Sequence, residues 1–209
     1  MKYLQRLQSH PGDGSLLAAA DSRVLLLTGQ SSFSSARLSP EQESFLRHVA
    51  PARCEVVWSG FPYRTEFLGS DFHSSGMVAA SVRNGLQVMW SFWHPGYRRA
   101  LLRVLQEVID TTSRRLVLIT GSCGLQLANV VWPKLRLPSA LRVQVIALGP
   151  VCFSTLRLHG ASVTVLQGDR DGWSRLFYRG LVDVRCACGH LDYWTSMEVR
   201  RRVEEMLKA

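Results

Sequence analysis

The chain reads as an α/β protein: one mostly parallel sheet flanked by helices on both faces, forming a single domain over 1–209. Three observations predict this. Short apolar runs ending in glycine recur at residues 23–29, 116–121, 141–149 and 161–168, the pattern of strands buried on both faces. Segments with apolar residues at helical spacing lie between them, and strands separated by helices pair in parallel. A length of 209 residues with 46% hydrophobic content suits one domain with a real core and excludes a disordered chain.

The elements follow in order. Residues 1–22 form an N-terminal extension, and 23–29 is the first strand. Ser39-Pro40-Glu41-Gln42-Glu43 opens a helix, with Ser as N-cap, Pro in the first turn and acids following. Phe45, Leu46 and Val49 supply its apolar face. Residues 54–58 form the next strand, closed by Ser59-Gly60-Phe61-Pro62. A helix is expected over 77–88, followed by the aromatic stretch 89–94, and residues 61–94 hold a candidate cap. Ala100, Leu101, Val104, Leu105 and Val108 stripe a helix from Pro95 or Gly96 to Thr111. The strand at 116–121 runs into a helix-compatible segment at 125–129. Strands at 141–149 and 161–168, a short helix at 174–179, an alternating last strand at 182–188 and an amphipathic helix at 196–208 complete the chain. No internal repeat interrupts this order.

Composition narrows the function classes. No apolar run approaches the ~18 residues of a membrane helix, and Met1-Lys2-Tyr3-Leu4-Gln5-Arg6 leads into no secretory apolar stretch. Five cysteines without framework spacing indicate a reducing compartment, so the expectation is a cytoplasmic protein. The net charge of +9 is carried mainly by scattered arginines. Without a zinc finger, helix-turn-helix or aromatic–basic signature, this charge reads as solvated surface, and no nucleic-acid partner is expected.

Chemistry in an open parallel sheet gathers beyond the C-terminal ends of its strands. Those ends carry Gly29-Gln30-Ser31-Ser32, Gly60-Phe61, Thr120-Gly121-Ser122-Cys123-Gly124, Gly149-Pro150, Gly168-Asp169-Arg170-Asp171 and Gly189-His190. A nucleophile, an acid and a histidine therefore occur in that order. This order and its strand context resemble the α/β-hydrolase superfamily, specifically its small serine esterases and thioesterases. That family's elbow is small-x-nucleophile-x-small, and two registers fit it. One puts Ser122 at the tip, with Thr120 in place of the first glycine. The other puts Cys123 there, with Leu125 in place of the last. The position two after the nucleophile must be small because the helix crosses the strand closely, so Ser122 is preferred.

The resemblance implies further roles. Asp171 matches the acid of G-x-x-D, with Asp169 in reserve, and His190 stands where the family's histidine follows the last strand. His190 would take the Ser122 proton while Asp171 holds its ring. The oxyanion hole would use the backbone N–H of Cys123 and that of Gln30, with Ser31 in reserve. The loop Thr28-Gly29-Gln30-Ser31-Ser32 lacks the His-Gly of many relatives, which leaves the second donor open. His10, His48, His73, His94 and His159 read as surface residues. Cys186-x-Cys188-x-His190 lacks the C-x₂₋₄-C spacing of structural zinc, so apolar packing accounts for the cysteines and no metal is expected.

These readings predict a hydrolase cleaving an ester or thioester through an acyl-enzyme, with no cofactor. The substrate would be a small-molecule or carrier-bound acyl group, and the basic surface would suit an acidic acyl carrier protein. Two alternatives stand beside it: a hydrolase using Cys123 as nucleophile, and a non-catalytic binding or scaffold protein of the same fold. Oligomeric state is left open.

Overall fold

A computed structural model describes residues 2–8, 14–30, 32–69 and 77–208. Among these residues six strands pair in parallel in one sheet: β1 (Ala20–Thr28), β2 (Glu55–Val56), β3 (Thr112–Gly121), β4 (Arg142–Leu148), β5 (Ala161–Gly168) and β6 (Val184–Cys186). Their order across the sheet is β2-β1-β3-β4-β5-β6. The chain first moves outward from β1 to β2, then crosses back past β1 to β3 and adds strands toward the other edge. The direction thus reverses between β1 and β3, where loops diverge and open a crevice at the strand ends.

Side-chain alternation assigns the two faces. On one, Val24 and Leu26 of β1, Val117 and Ile119 of β3, and Ile146 and Leu148 of β4 are buried. They pack under α2 (Pro40–Val49), through Phe45, Leu46 and Val49, and α7 (Met197–Lys208), through Val199, Val203 and Leu207. On the other, Leu25, Leu27, Leu116, Leu118 and Val145 meet α4 (Pro95–Asp110) and α5 (Gly124–Val131). The extension also contributes, because α1 (Lys2–Gln8) buries Tyr3 and Leu7 in this second core. Each fully buried Leu or Val contributes about 1.5–3 kcal/mol. A one-residue slip of any central strand would exchange its two apolar sets between faces.

Several boundaries follow from local chemistry. Ser39 Oγ accepts from Gln42 N–H at 3.2 Å, while Gln42 Oε1 accepts from Ser39 N–H at 2.9 Å. This reciprocal capping box starts α2 where Ser-Pro predicts it. The aromatic stretch 89–94 does not follow the preceding helix but extends it: α3 spans Met77–Trp93. Neither glycine nor proline occurs between Gly85 and Pro95 to stop it, and His94 then caps α4 by accepting from Tyr97 N–H at 3.1 Å. The strand expected over 54–58 shortens to Glu55–Val56, and that over 182–188 to Val184–Cys186. Both lie at sheet edges, where one neighbour supplies the ladder and short strands blunt edge pairing. Cys188 consequently lies past the strand. It still packs with Cys186 in the core, and burial pushes both thiols up, to about 12 and about 11.

Candidate active site

The crevice holds a cavity of about 590 Å³, lined by residues from every strand-end loop near the reversal. Its floor is the turn between β3 and α5. Five buried residues, Leu116 to Thr120, drive β3 straight into the core. The chain must then reverse within three residues to start α5 at Gly124. Ser122 absorbs the reversal with φ of 51°, a left-handed conformation costing a non-glycine residue about 1–3 kcal/mol. This lifts its side chain into the cavity. A β-carbon on Gly124 would lie 1.8 Å from the Leu27 carbonyl oxygen, so α5 crosses β1 at glycine-only distance. The small residue demanded two positions after the tip is therefore Gly124, and the tip is Ser122.

His190 and Asp171 reach the same point from two other loops. His190 Nε2 lies 3.1 Å from Ser122 Oγ, and its Nδ1 lies 2.9 Å from both oxygens of Asp171. Asp171 is completely buried. As an ionised carboxylate it can only accept, so Nδ1 carries the hydrogen and Nε2 of the neutral ring accepts from the Ser122 hydroxyl. Burial by itself raises the carboxyl pKa. Hydrogen bonds from His190, the Ser174 N–H and the Tyr193 hydroxyl outweigh it and hold Asp171 below the usual carboxylate range. The Ser174 bond, 2.8 Å to Oδ1, is also the N-cap of α6 (Gly172–Phe177), so one carboxylate ends a strand loop and starts a helix.

Cys123, beside Ser122, turns the other way. Its side chain is buried next to Gly29 and Asn84, and burial pushes the thiol up to about 12. Its backbone N–H belongs to the first turn of α5, where helix N–H groups lack intrahelical acceptors. Gln30 also lines the cavity, but its N–H donates to Gln87 Oε1 at 3.3 Å, and Gln87 Nε2 returns a 3.0 Å bond to the Gln30 carbonyl. Ser31 lies outside the described residues, as do His10 and His73. Asp169 sits on the exposed side of its turn, where its carbonyl accepts from Arg175. The carboxylate in contact with His190 is Asp171. Elsewhere, His48 faces Glu204 across the surface, and His159 lends its carbonyl to Trp132 Nε1.

Two partners were not anticipated. Tyr193 donates to Asp171 Oδ2 at 2.8 Å and accepts from Gly168 N–H at 2.7 Å, so it ties the acid to the end of β5. No sequence signal marks it beyond an aromatic three residues after His190. Gln87, fully buried on α3, clamps the Gln30 peptide. Its signal was available: a carboxamide on the inward side of a largely apolar helix needs a polar partner.

No protein-family model and no curated protein sequence matches the chain. Solved structures do match over nearly its whole length. The esterase PE8 is 18% identical, with 96% of this chain and 97% of that one covered at a TM-score of 0.51. A dienelactone hydrolase from Anabaena variabilis is 15% identical, with 90% and 83% covered and a TM-score of 0.51. A dienelactone hydrolase-like promiscuous phosphotriesterase from metagenomic libraries is 11% identical, with 91% and 85% covered and a TM-score of 0.54. The chain has the α/β-hydrolase fold that its strand-end motifs resemble.

Proposed function

Starting from that fold, we propose that this protein is a serine hydrolase of carboxylic esters that acts through an acyl-enzyme on Ser122. The observation that carries the reading is the unbroken hydrogen-bonded chain from Ser122 Oγ through His190 to the buried Asp171. Ser122 Oγ attacks the ester carbonyl as His190 Nε2 takes its proton, and Asp171 stabilises the imidazolium that results. The tetrahedral oxyanion meets the Cys123 N–H. A second donor from Gln30 N–H would first have to leave Gln87 Oε1. His190 then returns the proton to the departing alkoxide, and the acyl group stays on Ser122. Water, deprotonated by His190, attacks the acyl carbon, and Ser122 leaves with the proton. A thioester would follow the same steps with a thiol as leaving group.

Several features support this choice over its alternatives. Burial raises the Cys123 thiol pKa to about 12 and keeps it protonated, and the hydroxyl in contact with His190 is that of Ser122, which disfavours a cysteine nucleophile. A scaffold protein would have no use for a strained serine aligned with a histidine and a buried acid. Val88, Val151, Phe153 and Phe177 line the cavity and suit an apolar acyl or aryl group. The cap function of 61–94 is proposed for α3 alone, whose Ala80, Asn84 and Val88 form one wall. Reaction with a fluorophosphonate followed by peptide mapping tests the reading. Label on Ser122, lost in Ser122→Ala but kept in Cys123→Ala, is expected. Ser122→Ala should also lower p-nitrophenyl ester turnover by about 10⁴-fold or more. Label absent from Ser122, or turnover that survives its removal, refutes the proposal.

A further inference from the structure

The helix that walls the cavity also presents an apolar face to solvent. Its sequence contains one charged residue, Arg83, and no acid. Ser81 and Gly85 both line the cavity and are exposed, so they stand at its rim. The same face continues at helical spacing into Met89, Phe92 and Trp93, which are all exposed, Trp93 by 80%. Across the mouth, Phe153, Trp173 and Leu191 line the cavity and are themselves more than half exposed. Exposed apolar side chains thus border the entrance on one side and, on the other, continue along the helix one to two turns beyond the rim at Gly85, more than isolated surface hydrophobes account for.

Cations adjoin this surface in an unfavourable place. Arg98, in the first turn of α4, and Arg99, the residue after it, are exposed five and six residues after Trp93. A helix N-terminus carries partial positive charge and favours acids, yet this first turn holds none. Among the described residues neither arginine is in an ion pair. Two exposed cations without an ion pair at this end of the helix are free to meet an anion from outside the chain. The net charge of +9 extends the same preference over the molecule.

We propose that this face docks on an anionic lipid bilayer, with Met89, Phe92 and Trp93 entering the interfacial layer and Arg98 and Arg99 meeting lipid phosphates or carboxylates. The cavity mouth then opens onto the bilayer surface, and lipid-borne esters are the substrate class. The substrate half of this inference rests on the esterase reading, whereas the docking half does not. Aromatic side chains partition well into the interface, and each arginine near an anionic surface contributes about 1 kcal/mol.

Flotation with vesicles of phosphatidylcholine, with and without phosphatidylserine, tests the docking. The protein should float with the anionic vesicles, less so as salt is raised, and remain at the bottom with neutral ones. Combined Arg98→Gln and Arg99→Gln should weaken binding about 30-fold. Combined Met89→Ser, Phe92→Ser and Trp93→Ser should abolish it while the unfolding temperature stays near wild type. Absence of flotation, or equal flotation with both vesicles, overturns the proposal. So does a concentration-dependent dimer that the triple serine variant dissolves, because the face would then bind a second copy. Flotation without fluorophosphonate label on Ser122 supports docking and removes only the esterase reading. Label without flotation does the reverse.

Discussion

Tyr193→Phe isolates what holds the acid of the site in place. The hydroxyl donates to the fully buried Asp171 at 2.8 Å and accepts from the buried Gly168 N–H at 2.7 Å. Phenylalanine keeps the ring, which packs against Gly149 so closely that a β-carbon there would come within 2.4 Å of it. No cavity is created, and only the two hydrogen bonds change. Losing a donor to a charged acceptor costs about 1.5–3 kcal/mol, and leaving a buried N–H unpaired costs about 1–3 kcal/mol. A combined loss of about 3–5 kcal/mol corresponds to a fall of about 6–20 °C in Tm for a domain of this size.

The same substitution changes the pH response. Asp171 has a folded pKa below its ordinary value, so its stabilisation is present above the unfolded carboxylate pKa and is lost as pH falls through the folded one. Removing the Tyr193 donor raises the folded pKa. The acid-unfolding midpoint, followed by near-UV circular dichroism, should therefore move to higher pH in the variant. Calorimetry supplies Tm, and ester turnover at neutral pH reports whether Asp171 still holds His190. A Tm within about 2 °C of wild type together with an unmoved acid midpoint would refute the reasoning, because the hydroxyl would then be carrying neither bond.

Three other substitutions probe the frame. Gly124→Ala places a β-carbon 1.8 Å from the Leu27 carbonyl. It should destabilise by about 3 kcal/mol or more and suppress Ser122 labelling, as α5 is pushed off β1; a wild-type melting curve would contradict the close crossing. Arg23, fully buried on β1, pairs with Glu55 at 2.8 Å and bonds Thr112 Oγ1 at 3.0 Å. Arg23→Met should cost about 3 kcal/mol in urea unfolding by leaving these partners unmatched, whereas turnover per folded molecule should hold because the pair lies at the opposite end of β1 from the cavity. Ser39→Ala removes the capping box of α2 and should cost about 1 kcal/mol, read as a small drop in the denaturation midpoint with the m-value unchanged. An unaltered midpoint would mean that water replaces the cap at no net cost.

Local signals were legible wherever a few neighbouring residues decide the outcome. Apolar runs ending in glycine marked β1, β4 and β5, and Ser39-Pro40 marked the start of α2. The extent of β2 and β6 was not legible, because an edge strand lasts only as long as its single neighbour pairs with it. Nor was the reach of α3, where aromatic residues are compatible with both helix and strand until Pro95 and the His94 cap intervene. In the site, Ser122, Asp171 and His190 could be listed by their places after β3, β5 and β6. Tyr193 and Gln87 could not be assigned partners, since theirs lie 22 and 57 residues away in the chain.

The sequence by itself determined the class of fold, the positions of its strand ends and the residue types gathered there. Those depend on side-chain period and backbone freedom, which act over a few residues. Which of Ser122 and Cys123 faces His190 was decided only in three dimensions. One carbonyl, on Leu27 of a strand nearly a hundred residues earlier, leaves room for a glycine and nothing larger at position 124. That contact sets the phase of the turn, so the serine rises into the cavity and the cysteine is buried behind it.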